Sequence, residues 1–118
     1  KTRAEALRQE FGTKVEVVDW VTAGNMFDGA TTVVNASSLG MVGAAEMRVP
    51  LDALSSAAVV TDLVYAPLQT KLLKVASEKG CITVDGLGML LHQAVPGFER
   101  WFGQRPVVDD ATRQAVLA

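Results

Sequence analysis

Apolar and polar positions along this chain switch between a helical period and a period of two, and each switch marks an element. Residues 3–11 put Ala4, Leu7 and Phe11 on one side of a helix, with Gly12 where a left-handed residue ends it. Residues 14–20 alternate and predict a strand, and residues 25–29 predict a short turn or helical piece. Residues 31–36, apolar and β-branched, predict a strand buried on both faces. Residues 40–54 fit neither period and are expected to be mostly loop. A second buried strand is expected over 57–64, a helix over 69–79 with Leu72, Leu73 and Val75 inward, and a short strand over 81–84. Asp109 or Asp110 caps a last short helix to Leu117. Alternating helices and strands are the mark of an α/β layer fold with a mainly parallel sheet.

The most informative segment is 85–103. Asp85 reads as an N-cap, and Leu87, Leu90, Leu91, Ala94, Phe98, Trp101 and Phe102 make one broad apolar face that Gly103 ends. Pro96 removes one backbone donor inside the pattern and is expected to bend the helix near His92. Gln93 falls off the centre of the apolar face and shares a side with Gly86 and Gly97, so a carboxamide there can meet a ligand. Gly86-Leu87-Gly88 is not a dinucleotide loop: the sixth position of that motif holds Leu91 rather than glycine.

Length and charge narrow the function classes. With 118 residues and 49% hydrophobic content, the chain fills one core as a single domain or part of one. A net charge of −2 and a pI near 5.3 give no basic surface of the kind nucleic acid requires. No apolar stretch approaches the roughly 18 residues of a membrane helix, and the charged start does not resemble a signal peptide, so a cytoplasmic protein is expected. Cys81 has no second thiol for a disulfide or metal site and reads as structural; His92 reads as solvated. No metal site is expected.

In an open parallel sheet ligands bind outside the carboxyl ends of the strands. Three ends here are distinctive. Asn35-Ala36-Ser37-Ser38-Leu39-Gly40 is small and polar, Asp62-Leu63-Val64-Tyr65 brings a phenol out of a buried strand, and Asp85-Gly86 opens a helix with a residue that a flat ring can approach. In a parallel sheet the three lie along one rim.

The segments 35–41, 62–67 and 85–103 resemble, in the same order, signatures of the shikimate dehydrogenase family, and the resemblance covers essentially all 118 residues as the C-terminal part of the family's chain. It implies a Rossmann-like parallel sheet with flanking helices, incomplete at its N-terminal side. The N-terminal substrate domain and the first βαβ unit, with its pyrophosphate loop, are expected to lie outside this chain. It further implies NADP as cofactor and reversible hydride transfer between NADPH and 3-dehydroshikimate, giving shikimate. By resemblance Tyr65 and Gln93 contact the substrate, Leu63 and Gly86 border the nicotinamide, and Arg3 ends the stretch that receives the adenosine 2′-phosphate. The family's proton-transferring lysine and aspartate have no counterpart here, so no catalytic residue is expected in this chain, which alone should be inactive. The resemblance leaves room for a homodimer. A quinate or quinate/shikimate dehydrogenase, and a non-catalytic fragment that binds a nucleotide or partner, are the alternatives. If the strand order is 3-2-1-4-5-6, residues 31–36, 57–64 and 81–84 form one contiguous block, and residues 14–20, the third strand, make no ladder to 31–36.

Overall fold

The structure, a computed structural model, describes residues 2–118. Three parallel strands, β1 (Thr32–Asn35), β2 (Val59–Asp62) and β3 (Ile82–Val84), lie side by side in sequence order. Thr32 pairs with Val59 and Asn35 with Asp62, while Val59 pairs with Ile82 and Thr61 with Val84. The three expected strands are thus one contiguous block. Among the described residues four α-helices accompany them: α1 (Thr2–Phe11), α2 (Lys71–Glu78), α3 (Gly86–Phe102) and α4 (Asp110–Leu117).

Residues 14–20 make no ladder to β1, as expected, but neither do they form a strand. One 3-10 helix covers Gly12–Lys14, another covers Trp20–Phe27, and the residues between them are unassigned to any regular element. An alternating pattern becomes a strand only where a neighbour completes its hydrogen bonds, and among the described residues no ladder partner reaches this one.

The core lies on one side of the sheet. Val33 and Val60 meet Leu72, Leu73 and Ala76 of α2, Leu51 and Leu54 of the long β1–β2 connection, and Cys81. The opposite side carries Val34, Ile82 and Val84, which are 52%, 61% and 48% exposed. The expectation of strands buried on both faces is corrected: among the described residues only one face is covered, so burial alternates along β1 and β2. In α2 the inward residue is Ala76 rather than Val75, because 72, 73 and 76 share a stripe that 75 leaves.

Residues 36–58 join two parallel strands without a helix or strand, in line with the loop expected over 40–54. Buried Val49, Leu51 and Leu54 anchor the connection, and Gly40, at φ +89°, makes a turn closed by its N–H to the Ala45 carbonyl at 2.8 Å. α3 is capped by Asp85, which accepts from the Leu87 N–H, and ends at Gly103 in a left-handed conformation. It runs through Pro96 as one helix. Its expected apolar face is corrected: Gly86, Leu87 and Val95 are buried, whereas Phe98, Trp101 and Phe102 are exposed. Phe98 and Phe102 pack on each other instead, ring centroids 4.5 Å apart.

Candidate functional site

Parallel register sets Asn35 level with Asp62 and Val84 level with Thr61, one residue earlier, so the loops that leave the three strands share one edge of the sheet. The convergence expected from the three strand ends is present. Between the first two exits lies a cleft of about 270 Å³ whose lining includes Ser37, Ser38, Met41, Leu63, Tyr65 and Ala66. It is mostly apolar with two hydroxyls and a phenol, a surface suited to a flat ring with polar substituents. A larger groove of about 660 Å³ between residues 47–52 and α2 contains none of the strand ends. Its lysines are also engaged, Lys71 with Glu46 at 2.9 Å and Lys79 with the Asp52 carbonyl at 3.0 Å. The Lys71 ammonium holds the Glu46 carboxyl below its ordinary range. Size therefore does not select the site; the strand ends do.

The two lips of the smaller cleft are tied together from below. Asp62, wholly buried, accepts three hydrogen bonds: from Asn35 Nδ2 at 3.0 Å, from the Val64 N–H at 2.9 Å and from Thr70 Oγ1 at 2.7 Å. Asn35 is buried beside it; Nδ2 also donates to the Leu39 carbonyl at 2.9 Å, and Oδ1 accepts from the Ser37 N–H and hydroxyl at 3.1 and 2.7 Å. Thr70 also caps α2, its hydroxyl accepting from the Leu73 N–H. A buried carboxylate is tolerated when donors converge on it, and here all the donors are neutral. At the surface the Val42 N–H reaches the Ala66 carbonyl at 3.0 Å and joins the lips a second time.

Tyr65 and Leu63 both line this cleft, Tyr65 with nearly half its surface exposed. Gly86 is buried at the start of α3, against the exit of β2. A Cβ there would lie 2.6 Å from the Leu63 carbonyl oxygen and 2.7 Å from that of Val64. The openness expected at Gly86 is filled by the chain itself, so the glycine first serves helix–strand packing. Gln93 is exposed two turns further along α3. The side it shares with Gly97 is not bare, since the Trp101 ring lies about 3.7 Å from where a Cβ on Gly97 would stand. Arg3 is exposed in the first turn of α1 and is not part of the cleft lining. His92 is exposed; Cys81 is a buried free thiol 3.5 Å from the Ser55 carbonyl oxygen. Among the described residues no cluster of three or more metal-ligating groups occurs, and no helix is long and apolar enough to cross a membrane.

Residues 86–117 match the family described as Shikimate 5'-dehydrogenase C-terminal domain. A shikimate dehydrogenase (NADP(+)) of Cereibacter sphaeroides strain ATCC 17025 is 69% identical over all 118 residues, and one of Paracoccus denitrificans is 64% identical over the same span. Over its whole length the chain is similar to shikimate dehydrogenases. It spans 42% of the length of these relatives and matches their C-terminal part. Solved structures agree. A quinate dehydrogenase from Corynebacterium glutamicum in complex with NAD superimposes with a TM-score of 0.76 at 35% identity, covering 90% of this chain and 39% of its own. A shikimate 5-dehydrogenase from Thermus thermophilus in complex with NADP(H) and shikimate gives 0.74 at 32% identity, covering 90% and 38%. The fold is accordingly the Rossmann-like parallel sheet with flanking helices, small and incomplete.

The donor set fits one end of a dinucleotide. The cleft offers apolar surface, the Ser38 hydroxyl, the Tyr65 phenol and main-chain groups to a ring, whereas among the described residues no strand runs through a G-x-G-x-x-G turn into a helix to receive a pyrophosphate. Two features went unread in the sequence. Asn35 and Asp62 fall in phase with the buried valines 33 and 60, which alone marks both polar side chains as inward-facing. Arg113 of α4 pairs with Asp85 at 2.5 Å, so one carboxylate caps α3 and ties α4 to it. That pairing raises the guanidinium pKa further. No local pattern announces a contact across 28 residues.

Proposed function

We propose that this chain is the C-terminal portion of an NADP-dependent shikimate dehydrogenase. In the complete protein it would form one wall of a site for reversible hydride transfer between NADPH and 3-dehydroshikimate. The observation that carries the reading is the convergence of Leu63, Tyr65 and the start of α3 on one rim. The whole-length identity to NADP(+) shikimate dehydrogenases supports it.

The nicotinamide cofactor, when bound, would supply the hydride chemistry, giving the hydride as NADPH and accepting it as NADP+. The residues of this chain supply position. Leu63 and Gly86 would border the nicotinamide with main chain and the Leu63 side chain, keeping water from one edge of the ring. Tyr65 would direct its hydroxyl to a ring hydroxyl of the acid, and Gln93 its carboxamide to the hydroxyl and carboxylate side. Arg3 would meet the 2′-phosphate, where a guanidinium makes bidentate contacts. No proton-transferring residue is assigned to this chain. The substrate domain and pyrophosphate loop are assigned to segments that the relatives possess outside the matched region. A cytoplasmic location and a homodimer accompany this reading.

The likeness to a quinate dehydrogenase bound to NAD keeps a second reading alive, with quinate as substrate or NAD as cofactor. One experiment separates them: a chimera in which this chain replaces the matching 118 residues of the Cereibacter sphaeroides relative, assayed with shikimate and quinate against NADP and NAD. The expected result is turnover that favours shikimate with NADP. Gln93→Ala should raise KM for shikimate about 10-fold or more with little loss of stability, since one ligand hydrogen bond is lost from an exposed helix position. Arg3→Ala should weaken NADP more than NAD. Preference for quinate would favour the second reading, and a folded chimera without turnover on either acid would remove both.

A further inference from the structure

We infer that Asp62 is a positioning residue for the rim site, its buried carboxylate acting as the common anchor of both lips of the cleft that Tyr65 borders. The inference rests on the proposed reading for its kinetic consequences, while the anchoring itself is a property of this chain. Three observations meet at one side chain. Oδ1 accepts from the Val64 N–H, which fixes the residue immediately before Tyr65. The same oxygen accepts from Asn35 Nδ2, and Asn35 in turn holds Ser37 through Oδ1 and the Leu39 carbonyl through Nδ2. Oδ2 receives the Thr70 hydroxyl that caps α2. One carboxylate therefore reaches the 36–41 lip, the 63–66 lip and the helix that follows.

Packing alone does not require a charge here. Val60 and Val33 fill the same face of the same strands with apolar side chains, and apolar groups of like volume are often as stable as buried polar networks. What a carboxylate does that an apolar side chain cannot is accept from two separate loops at once and fix their relative position. A loop displaced by about 1 Å from a reacting geometry costs on the order of 100-fold in rate. The anchor lies below the cleft, and its residue is not among those lining it, so Asp62 acts through Val64, Asn35 and Ser37 and not on a ligand.

Asparagine is the conservative substitute. Its carbonyl oxygen can keep both lip contacts, while its amide can donate to the Thr70 hydroxyl, which turns to accept. Alanine removes all three contacts. The test compares Asp62→Ala, Asp62→Asn, Asn35→Ala and the core variant Leu54→Ala in the chimera described above, by steady-state kinetics and by hydrogen exchange resolved over residues 36–41 and 63–66. Asp62→Ala should lower kcat/KM for shikimate by about 30-fold or more and speed exchange at both lips by about 10-fold or more. Asp62→Asn should stay within about 3-fold of the parent in both readouts. Asn35→Ala should loosen the 36–41 lip alone, and Leu54→Ala should lose stability with kcat and KM unchanged.

The inference is overturned if Asp62→Ala leaves kcat/KM and lip exchange at the level of Leu54→Ala, or if Asp62→Asn is as damaging as Asp62→Ala. Should Asp62→Ala fail to fold, Asp62→Asn and Asn35→Ala decide it by the same criteria. A parent chimera without turnover that still shows the exchange pattern sinks the functional reading and keeps the anchor. An active parent without that pattern does the reverse.

Discussion

Two glycines lie two residues apart in the first turn of α3, and the structure gives their substitution opposite signs. Adding a methyl at Gly86 puts a carbon 2.6 and 2.7 Å from the carbonyl oxygens of Leu63 and Val64, against ordinary contact at 3.4–4 Å. Both obstacles are main chain, and both are held: the Leu63 N–H donates to the Asn35 carbonyl at 3.0 Å and the Val64 N–H to Asp62. The start of α3 must therefore move by roughly 0.5–1 Å, an overpacking cost of about 1–3 kcal/mol. Better helix propensity returns at most about 1 kcal/mol and less in the first turn, leaving Gly86→Ala less stable by about 1–2 kcal/mol. At Gly88 nothing stands within 4 Å of the added carbon, so only the propensity gain operates and Gly88→Ala should be more stable by about 0.5–1 kcal/mol. Urea denaturation of the chimera and its two variants measures the difference, which should be about 1.5–3 kcal/mol with Gly86→Ala the weaker. Equal stabilities would refute the claimed contact between the helix start and the exit of β2. Gly86→Ala should also weaken cofactor binding, because the displaced helix start is the part of α3 proposed to border the nicotinamide.

Leu54, 2% exposed in the core, should cost about 2–5 kcal/mol as Leu54→Ala, read as a lower urea midpoint at unchanged slope; a change within about 0.5 kcal/mol would contradict the core assignment. Asp109 caps α4, and the N–H and hydroxyl of Thr112 hold its carboxyl below the ordinary range. A depressed folded-state value stabilises above the unfolded carboxylate value of about 3.9 and loses that contribution as pH falls through the folded value. Protection factors of residues 110–117 should consequently decline below about pH 4 and stay flat in Asp109→Asn, whose amide caps at any pH; a flat wild-type profile would contradict the cap.

Much of this architecture was legible because its local signals agree with its tertiary ones. The cap at Asp85, a cap at Asp109 or its neighbour, the stops at Gly12 and Gly103, and the three strands follow from periodicity and turn chemistry that the packing reinforces, while their contiguity follows from the doubly wound strand order. Residues 14–20 show the limit: alternation states that a segment can pair, and pairing depends on what lies beside it. Burial failed for the same reason. Val34, Ile82, Trp101 and Phe102 look like core residues in sequence, yet the described residues cover only one side of the sheet. At the site, Tyr65, Leu63 and Gly86 were visible as strand-end residues, but the role of Gly86 in packing against carbonyls is a three-dimensional fact. Asp62 was visible too, as the end of a strand, and reading its phase against Val60 would have placed it inside.

In the proposed site the carboxyl ends of β1 and β2 and the start of α3 form one wall for substrate and cofactor. A crystal structure of the chimera grown with NADP and shikimate tests it directly. The nicotinamide should lie against Leu63 and Gly86, with the acid within hydrogen-bond reach of the Tyr65 hydroxyl and the Gln93 carboxamide. Ligands seated in the groove between residues 47–52 and α2, or on the rim out of reach of both Tyr65 and Gln93, would contradict it.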